Sequence, residues 1–321
     1  MDKINYLELI KKSLSITWKN KYLWWFGLFL SLGSGLVFNF NIPGRGDWSK
    51  QPGIEGKITD FFARYWGFVL AGIILLVILG IAFFIFRLIS QAGIIKTLSK
   101  IDKNEKGNFR EGFREGKRYF WKLLGLNLII GFLTAGIFII LFVPVMFLFY
   151  LGSWVFGIVA LMLAILIFVP LIILASFLGK YACFYIILSD LKILPSIEKS
   201  YQIFRGNIFP SIIMALIFIP VSIILSLAIL ISLVLIGIIF LIPGIIFYLV
   251  LSYSGVYFIL AIVLLVILIL ILLAGSVYQV FYQATWFLFF KEIASVKEDP
   301  IAETEKEKEV AEKIIPSPEE A

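Results

Sequence analysis

Histidine is absent from this chain of 321 residues, and cysteine occurs once, as Cys183. Without histidine the commonest general base is missing, along with haem ligation by imidazole and the usual zinc sites. A single cysteine in an apolar stretch rules out an intramolecular disulfide and a thiolate metal cluster. Charge is scarce as well. Charged residues make up 15% of the chain, and none lies between Lys122 and Lys180 or between Arg205 and Lys291. Ionisable groups inside a membrane mark ion paths and proton relays, so their absence argues against both. The chain also carries no glycine-rich phosphate loop, no paired carboxylates in an apolar setting and no nucleophile elbow. Asp190 and Glu198 fall in a basic segment, where solvated surface is the default reading, and acid–base catalysis needs more than that. Neither an enzyme nor a bound cofactor or metal is expected.

What the chain does have is apolar length. Its hydrophobic fraction is 61% and its mean hydropathy +1.02, against roughly 45–50% apolar residues in soluble domains. Crossing a hydrocarbon core of about 30 Å takes on the order of 20 helical residues. The fold class that follows is all-α, a polytopic transmembrane bundle of about six spans: 22–40, 66–86, 123–150, 154–179, 208–240 and 256–290. The segment "YLGSWVFG" (Tyr150–Gly157) supplies a turn between the third and fourth. In the last apolar stretch, Pro243-Gly244 and "SYSG" (Ser252–Gly255) predict two breaks. They leave either two kinked spans with a re-entrant piece around 241–250 or three simple spans. Residues 294–321 read as a charged, disordered tail.

The cations set an orientation. With the N-terminus inside, internal segments hold 24 of the 28 Lys and Arg residues, and the outside keeps only Arg45, Lys50, Lys57 and Arg64. The positive-inside rule therefore predicts a multi-pass protein of the plasma (inner) membrane with a cytoplasmic N-terminus and, for six spans, a cytoplasmic C-terminus. The first apolar run follows 21 mostly polar residues with no cleavage pattern, so an anchor is expected there rather than a removed signal peptide. All eight tryptophans fall near predicted span ends, as an aromatic belt requires. The tripeptide within "GRGDW" (Gly44–Trp48) sits among turn formers and reads as a loop.

Two segments echo each other. "SLSITWKN" (Ser13–Asn20) and "SYQIFRGN" (Ser200–Asn207) share serine, isoleucine and asparagine at equal spacing, each just before an apolar run. "KRYFWKLLGL" (Lys117–Leu126) resembles "NKYLWWFGLF" (Asn20–Phe29) in its basic, aromatic, tryptophan order. The pattern predicts three hairpins, each introduced by an amphipathic helix on the cytoplasmic face. Such a helix lays apolar residues, here Leu7, Ile10, Leu14 and Trp18, against the lipid boundary while cations meet anionic headgroups. Lys11, Lys12, Lys19, Arg114, Lys117, Arg118, Lys199 and Arg205 are the predicted anionic-lipid contacts. Gln279 and Gln283, four residues apart on the last helix, line a polar groove on one reading and make interhelical hydrogen bonds on the other. The mixed charges of 96–118 lack a folded domain to position them, so nucleic acid is not an expected partner.

At "SIEKSYQIFRGNIFPSIIMALIFI" (Ser196–Ile219) and at the matching N-terminal segment, the chain resembles uncharacterised bacterial six-span membrane proteins. The group is similar to the membrane domain fused to some glycerophosphoryl diester phosphodiesterases. The resemblance covers residues 1 to about 293 and implies a six-helix fold. It implies no enzyme, because the phosphodiesterase chemistry belongs to a separate soluble barrel. The expected function is a non-catalytic membrane protein that organises lipids or membrane-protein partners, with a permease or flippase for an apolar or lipid substrate as the alternative.

Overall fold

The computed structural model describes residues 4–33, 54–105 and 107–314, with side chains for 4–33, 64–105 and 107–294. Eight helices follow in order: α1 (Tyr6–Lys19), α2 (Leu23–Gly33), α3 (Ile54–Asp102), α4 (Phe109–Tyr150), α5 (Trp154–Leu188), α6 (Ile193–Gly206), α7 (Ile208–Leu251) and α8 (Tyr253–Ile314). There is no strand among the described residues. Lipid offers no partner to a backbone amide, so a chain this apolar must close its hydrogen bonds within each segment, which the helix does.

Five of these helices are long and apolar enough to cross a membrane: Arg64–Asp102, Phe109–Tyr150, Trp154–Leu188, Ile208–Leu251 and Tyr253–Ala294. The chain is an integral, multi-pass membrane protein built as a helical bundle. Of the predicted first span, 22–40, the structure describes α2, whose 11 residues end at Gly33. The remainder lies outside the described residues, as do the "GRGDW" loop, Trp48 and most of the side chains of the tail.

The re-entrant piece predicted around 241–250 does not form. Helix α7 continues through Pro220 and Pro243 for 44 residues, and the chain reverses only at Ser252, which adopts a left-handed φ of 55°. Proline removes one amide donor, but unwinding the helix in lipid would strand several polar groups, so the helix runs on. At about 1.5 Å per residue α7 is about 66 Å long, roughly twice the hydrocarbon core. A tilt of about 40°, the upper end of the usual range, would still leave it about 50 Å along the membrane normal, and Pro220 and Pro243 sit inside the helix.

Buried side chains gather at one end. Leu23, Phe26, Leu98, Leu123, Tyr181, Phe184, Ile187, Val280 and Phe289 belong to one continuous core, formed where α1, α2, α6 and the proximal parts of the five long helices meet. Away from this base, the apolar run of α3, the α4–α5 hairpin and the α7–α8 hairpin extend with outward-facing Leu, Ile, Val and Phe. Buried groups dominate the base and exposed apolar groups the projections, the arrangement lipid permits and water does not.

Close backbone approach builds the base. Gly27 of α2 lies against the Ser276 carbonyl of α8, and Gly116 of α4 against the Ile89 carbonyl of α3. Neither site has room for a Cβ. The Ser276 hydroxyl donates to the Trp24 carbonyl, and Thr285 of α8 donates to Ser13 Oγ of α1 at 2.8 Å. Small residues and interhelical hydroxyl bonds are how helices associate when the hydrophobic effect offers little.

Candidate functional site

Two places carry polar chemistry. The first is the outer surface of the base. Helix α1 buries Leu9, Ser13, Ile16 and Thr17, while Leu7 is 70% and Trp18 53% exposed. Of the predicted stripe, Leu7, Leu14 and Trp18 are exposed, while Ile10 is half-buried and packs on the core, and the face of Leu9, Ser13, Ile16 and Thr17 is the one turned inward. Helix α6 repeats the scheme: Ser196, Ser200, Ile203 and Phe204 are buried, with Leu194 and Tyr201 outside. The residues shared by the two segments do the same work. Ser13 and Ser200 are fully buried, and Asn20 and Asn207 each close the last turn of their helix. The third segment differs: α4 runs from Phe109 straight into the apolar run without a break.

Every predicted lipid-contacting cation is exposed, but they are not equivalent. Lys12 Nζ pairs with Asp102 at 3.0 Å, and Lys291 takes the other carboxylate oxygen. Burial works against the Asp102 charge, yet the hydrogen bonds and charges of Lys291 and Lys12 outweigh it and hold the carboxyl below its usual value. Arg118 lies 3.5 Å from Asp190, which Lys122 also binds at 2.7 Å. The Lys122 hydrogen bond lowers the Asp190 pKa, with its charge and that of Arg118 adding to it. Asp190 sits at a left-handed φ of 53°, a conformation Asp tolerates. The Lys122 ammonium clasps its backbone carbonyl as well, at 3.2 Å. Lys11, Lys19, Lys117, Lys199 and Arg205 make no ion pair with a described residue. Lys117 lies over the Phe113 ring and Lys199 over Tyr185. Arg114 acts on Glu111, whose carboxyl is lowered chiefly by the Lys100 hydrogen bond.

The second place is a cavity of about 530 Å³ where α5, α7 and α8 part, lined by Ile173, Phe177, Lys180, Leu216, Tyr282 and Trp286 among others. Its walls are mostly apolar, with Lys180 as the one charged group and Ser176, Tyr282 and Trp286 supplying polar atoms. The Lys180 ammonium is hydrogen-bonded to the Tyr282 hydroxyl and lies 3.9 Å from the Tyr282 ring centroid and 4.0 Å from that of Trp286. Aromatic faces attract a cation and partly replace its hydration. No described carboxylate forms an ion pair with it.

Sequence reasoning missed this site in two ways. Lys180 follows the charge-free run and reads as a surface cation, and Trp286 reads as part of the belt. The structure instead buries Trp286 to 2% exposure inside the bundle, because its ring packs against Phe177, Phe218 and Phe289. The available signal was the spacing of Tyr282 and Trp286, four apart on one helical face. Gln279 stands one turn before Tyr282, and Gln283 directly follows Tyr282. Gln283 is buried and Gln279 half-buried, and neither lines this cavity.

No curated protein and no solved structure matches the chain. A family profile matches residues 24–292, from α2 to the end of the base on α8. The chain thus belongs to the family described as "Family of unknown function (DUF7544)".

Proposed function

We propose that this protein is a non-catalytic organiser of anionic lipid at the cytoplasmic face of the plasma membrane. The base is its cytoplasmic-side platform, and the projections are its membrane anchor. The observation that carries the reading is the outer face of α1. Leu7, Leu14 and Trp18 of its predicted apolar stripe are left exposed by the protein, beside Lys11 and Lys19, which make no ion pair with a described residue. An interfacial helix uses those two features together: apolar side chains enter the headgroup boundary, and each nearby Lys or Arg contributes about 1 kcal/mol of attraction to an anionic surface. Helix α6 carries the same combination through Leu194, Lys199 and Arg205. Lys12 and Arg118, engaged with Asp102 and Asp190, contribute least.

The test is extraction of the protein directly into lipid nanodiscs, followed by mass spectrometry of the lipids and proteins retained. Enrichment of anionic lipid over the bulk membrane is expected. It should fall toward bulk composition when Lys11, Lys19, Lys117, Lys199 and Arg205 are changed together to Gln. Lipids that mirror the bulk membrane, alongside a stoichiometric protein partner, would instead make the platform a protein scaffold.

A further inference from the structure

The surface of the base does not account for Lys180. An ammonium in apolar surroundings without a counter-ion is costly, and cation–π contacts offset only part of that cost. It has three N–H donors, of which the Tyr282 hydroxyl takes one. The cavity it floors is bounded by exposed apolar side chains, Ile173, Ile212, Leu216 and Ile219. It therefore opens sideways between the α4–α5 and α7–α8 projections, toward the medium those projections occupy. A volume of about 530 Å³ falls within the roughly 300–1,000 Å³ range of small-ligand sites. An occupant arriving from that side must be apolar along most of its length and anionic at one end.

We propose that this cavity is a binding site for a single anionic membrane phospholipid, with an acyl chain along Ile173 and Leu216 and the phosphate on Lys180 Nζ. The proposal rests on the lipid reading above but concerns one stoichiometric molecule rather than a surface. Lys180 ends the charge-free run of α5 and makes no ion pair with a described residue, α5 and α7 carrying no acidic residue at all. A lysine stem of this length snorkels toward the headgroup level, where a lipid phosphate lies. The ammonium, held between Tyr282 and Trp286, disfavours a headgroup with its own fixed cation, so phosphatidylglycerol should outcompete phosphatidylcholine.

The full chain, purified in mild detergent and titrated with each lipid, is examined by native mass spectrometry. One phosphatidylglycerol per chain is expected to survive activation that strips phosphatidylcholine. Lys180→Met should weaken its retention about tenfold or more, the scale of one charge-assisted hydrogen bond. Ala215→Phe, which fills the cavity and leaves the charge, should do the same. The variant neutralised at Lys11, Lys19, Lys117, Lys199 and Arg205 should keep the retained molecule even where it loses bulk enrichment, so the two readings fail separately. Retention by both Lys180→Met and Ala215→Phe at the wild-type level overturns the site, as does equal retention of phosphatidylcholine or of a free fatty acid. Circular dichroism and elution volume identify a misfolded variant. Lys180→Gln, of similar length and uncharged, takes the place of Lys180→Met if that variant misfolds.

Discussion

Asn20 and Asn207 end their helices in the same way: each side-chain Nδ2 donates at 3.0 Å to a carbonyl one turn back, Ile16 in α1 and Ile203 in α6. Each adds a side-chain bond to a last-turn carbonyl; the Asn20 backbone N–H also goes to Ile16, whereas that of Asn207 goes to Phe204, and each corner turns the chain into the next apolar helix. Removing one such hydrogen bond costs about 1 kcal/mol. Asn20→Ala and Asn207→Ala should each lower unfolding stability by about that much. The two sites share no partner, so the double variant should lose the sum. Denaturant titration in mixed micelles reads this, and a double loss much larger than the sum would mean that the two corners act as one unit.

This equivalence was legible in the sequence as three shared residues, since each has a fixed local task. The helical class was legible too, because an apolar run in lipid has few alternatives. The contacts between helices were not. Ser13, Ser200 and Thr17 look like surface residues of polar segments, yet all three are buried, because close helix packing favours small side chains over apolar ones. Lys180 was misread for a related reason. Its sequence position marks an apolar boundary, while its surroundings come from α7 and α8, which hydropathy cannot bring together. Pro243 shows the opposite failure: a local breaker was overridden by the cost of an open backbone in lipid.

Asp102 ties three helices together through Lys12 of α1 and Lys291 of α8, and its side chain is only 6% exposed. Its pKa is lowered from 3.8, so its contribution to stability is fully present above that value and is lost as pH falls through the lower folded value. Wild-type melting temperature should drop on acidification in that range. Asp102→Asn should start lower at neutral pH and show a shallower acid decline. A variant with an unchanged acid slope would assign the decline to other carboxylates, such as Asp190.

The glycine contacts make a sharper packing prediction. A methyl group at Gly27 would collide with the Ser276 carbonyl, and one at Gly116 with that of Ile89. Neither obstacle is a side-chain tip that can swing aside. Gly27→Ala and Gly116→Ala should each cost about 1–3 kcal/mol, the scale of overpacking. At Gly136 a Cβ meets nothing within 4 Å, so Gly136→Ala should be neutral or gain up to about 1 kcal/mol from reduced backbone freedom. Equal effects at all three positions would mean that α2 and α4 are not held where these contacts place them.

Cys183 gives a way to ask whether the base opens as a whole. It is buried, and its sulfur accepts from Gln91 Nε2 of α3 at 3.4 Å. It stands within the run Tyr181–Ile187, every residue of which is buried. A maleimide can reach it only if α5 separates from α3 and α8. If the base is one cooperative unit, labelling should be slower than for the unfolded chain by the unfolding equilibrium constant, at least about a thousandfold for a stability of 5 kcal/mol. Its rate should then rise with the stability lost in Gly116→Ala and Asp102→Asn, about tenfold for each 1.4 kcal/mol. Labelling that is fast, or indifferent to those substitutions, would show α5 opening locally, and the cavity floored by Lys180 would then be reached through a moving helix rather than a standing gap.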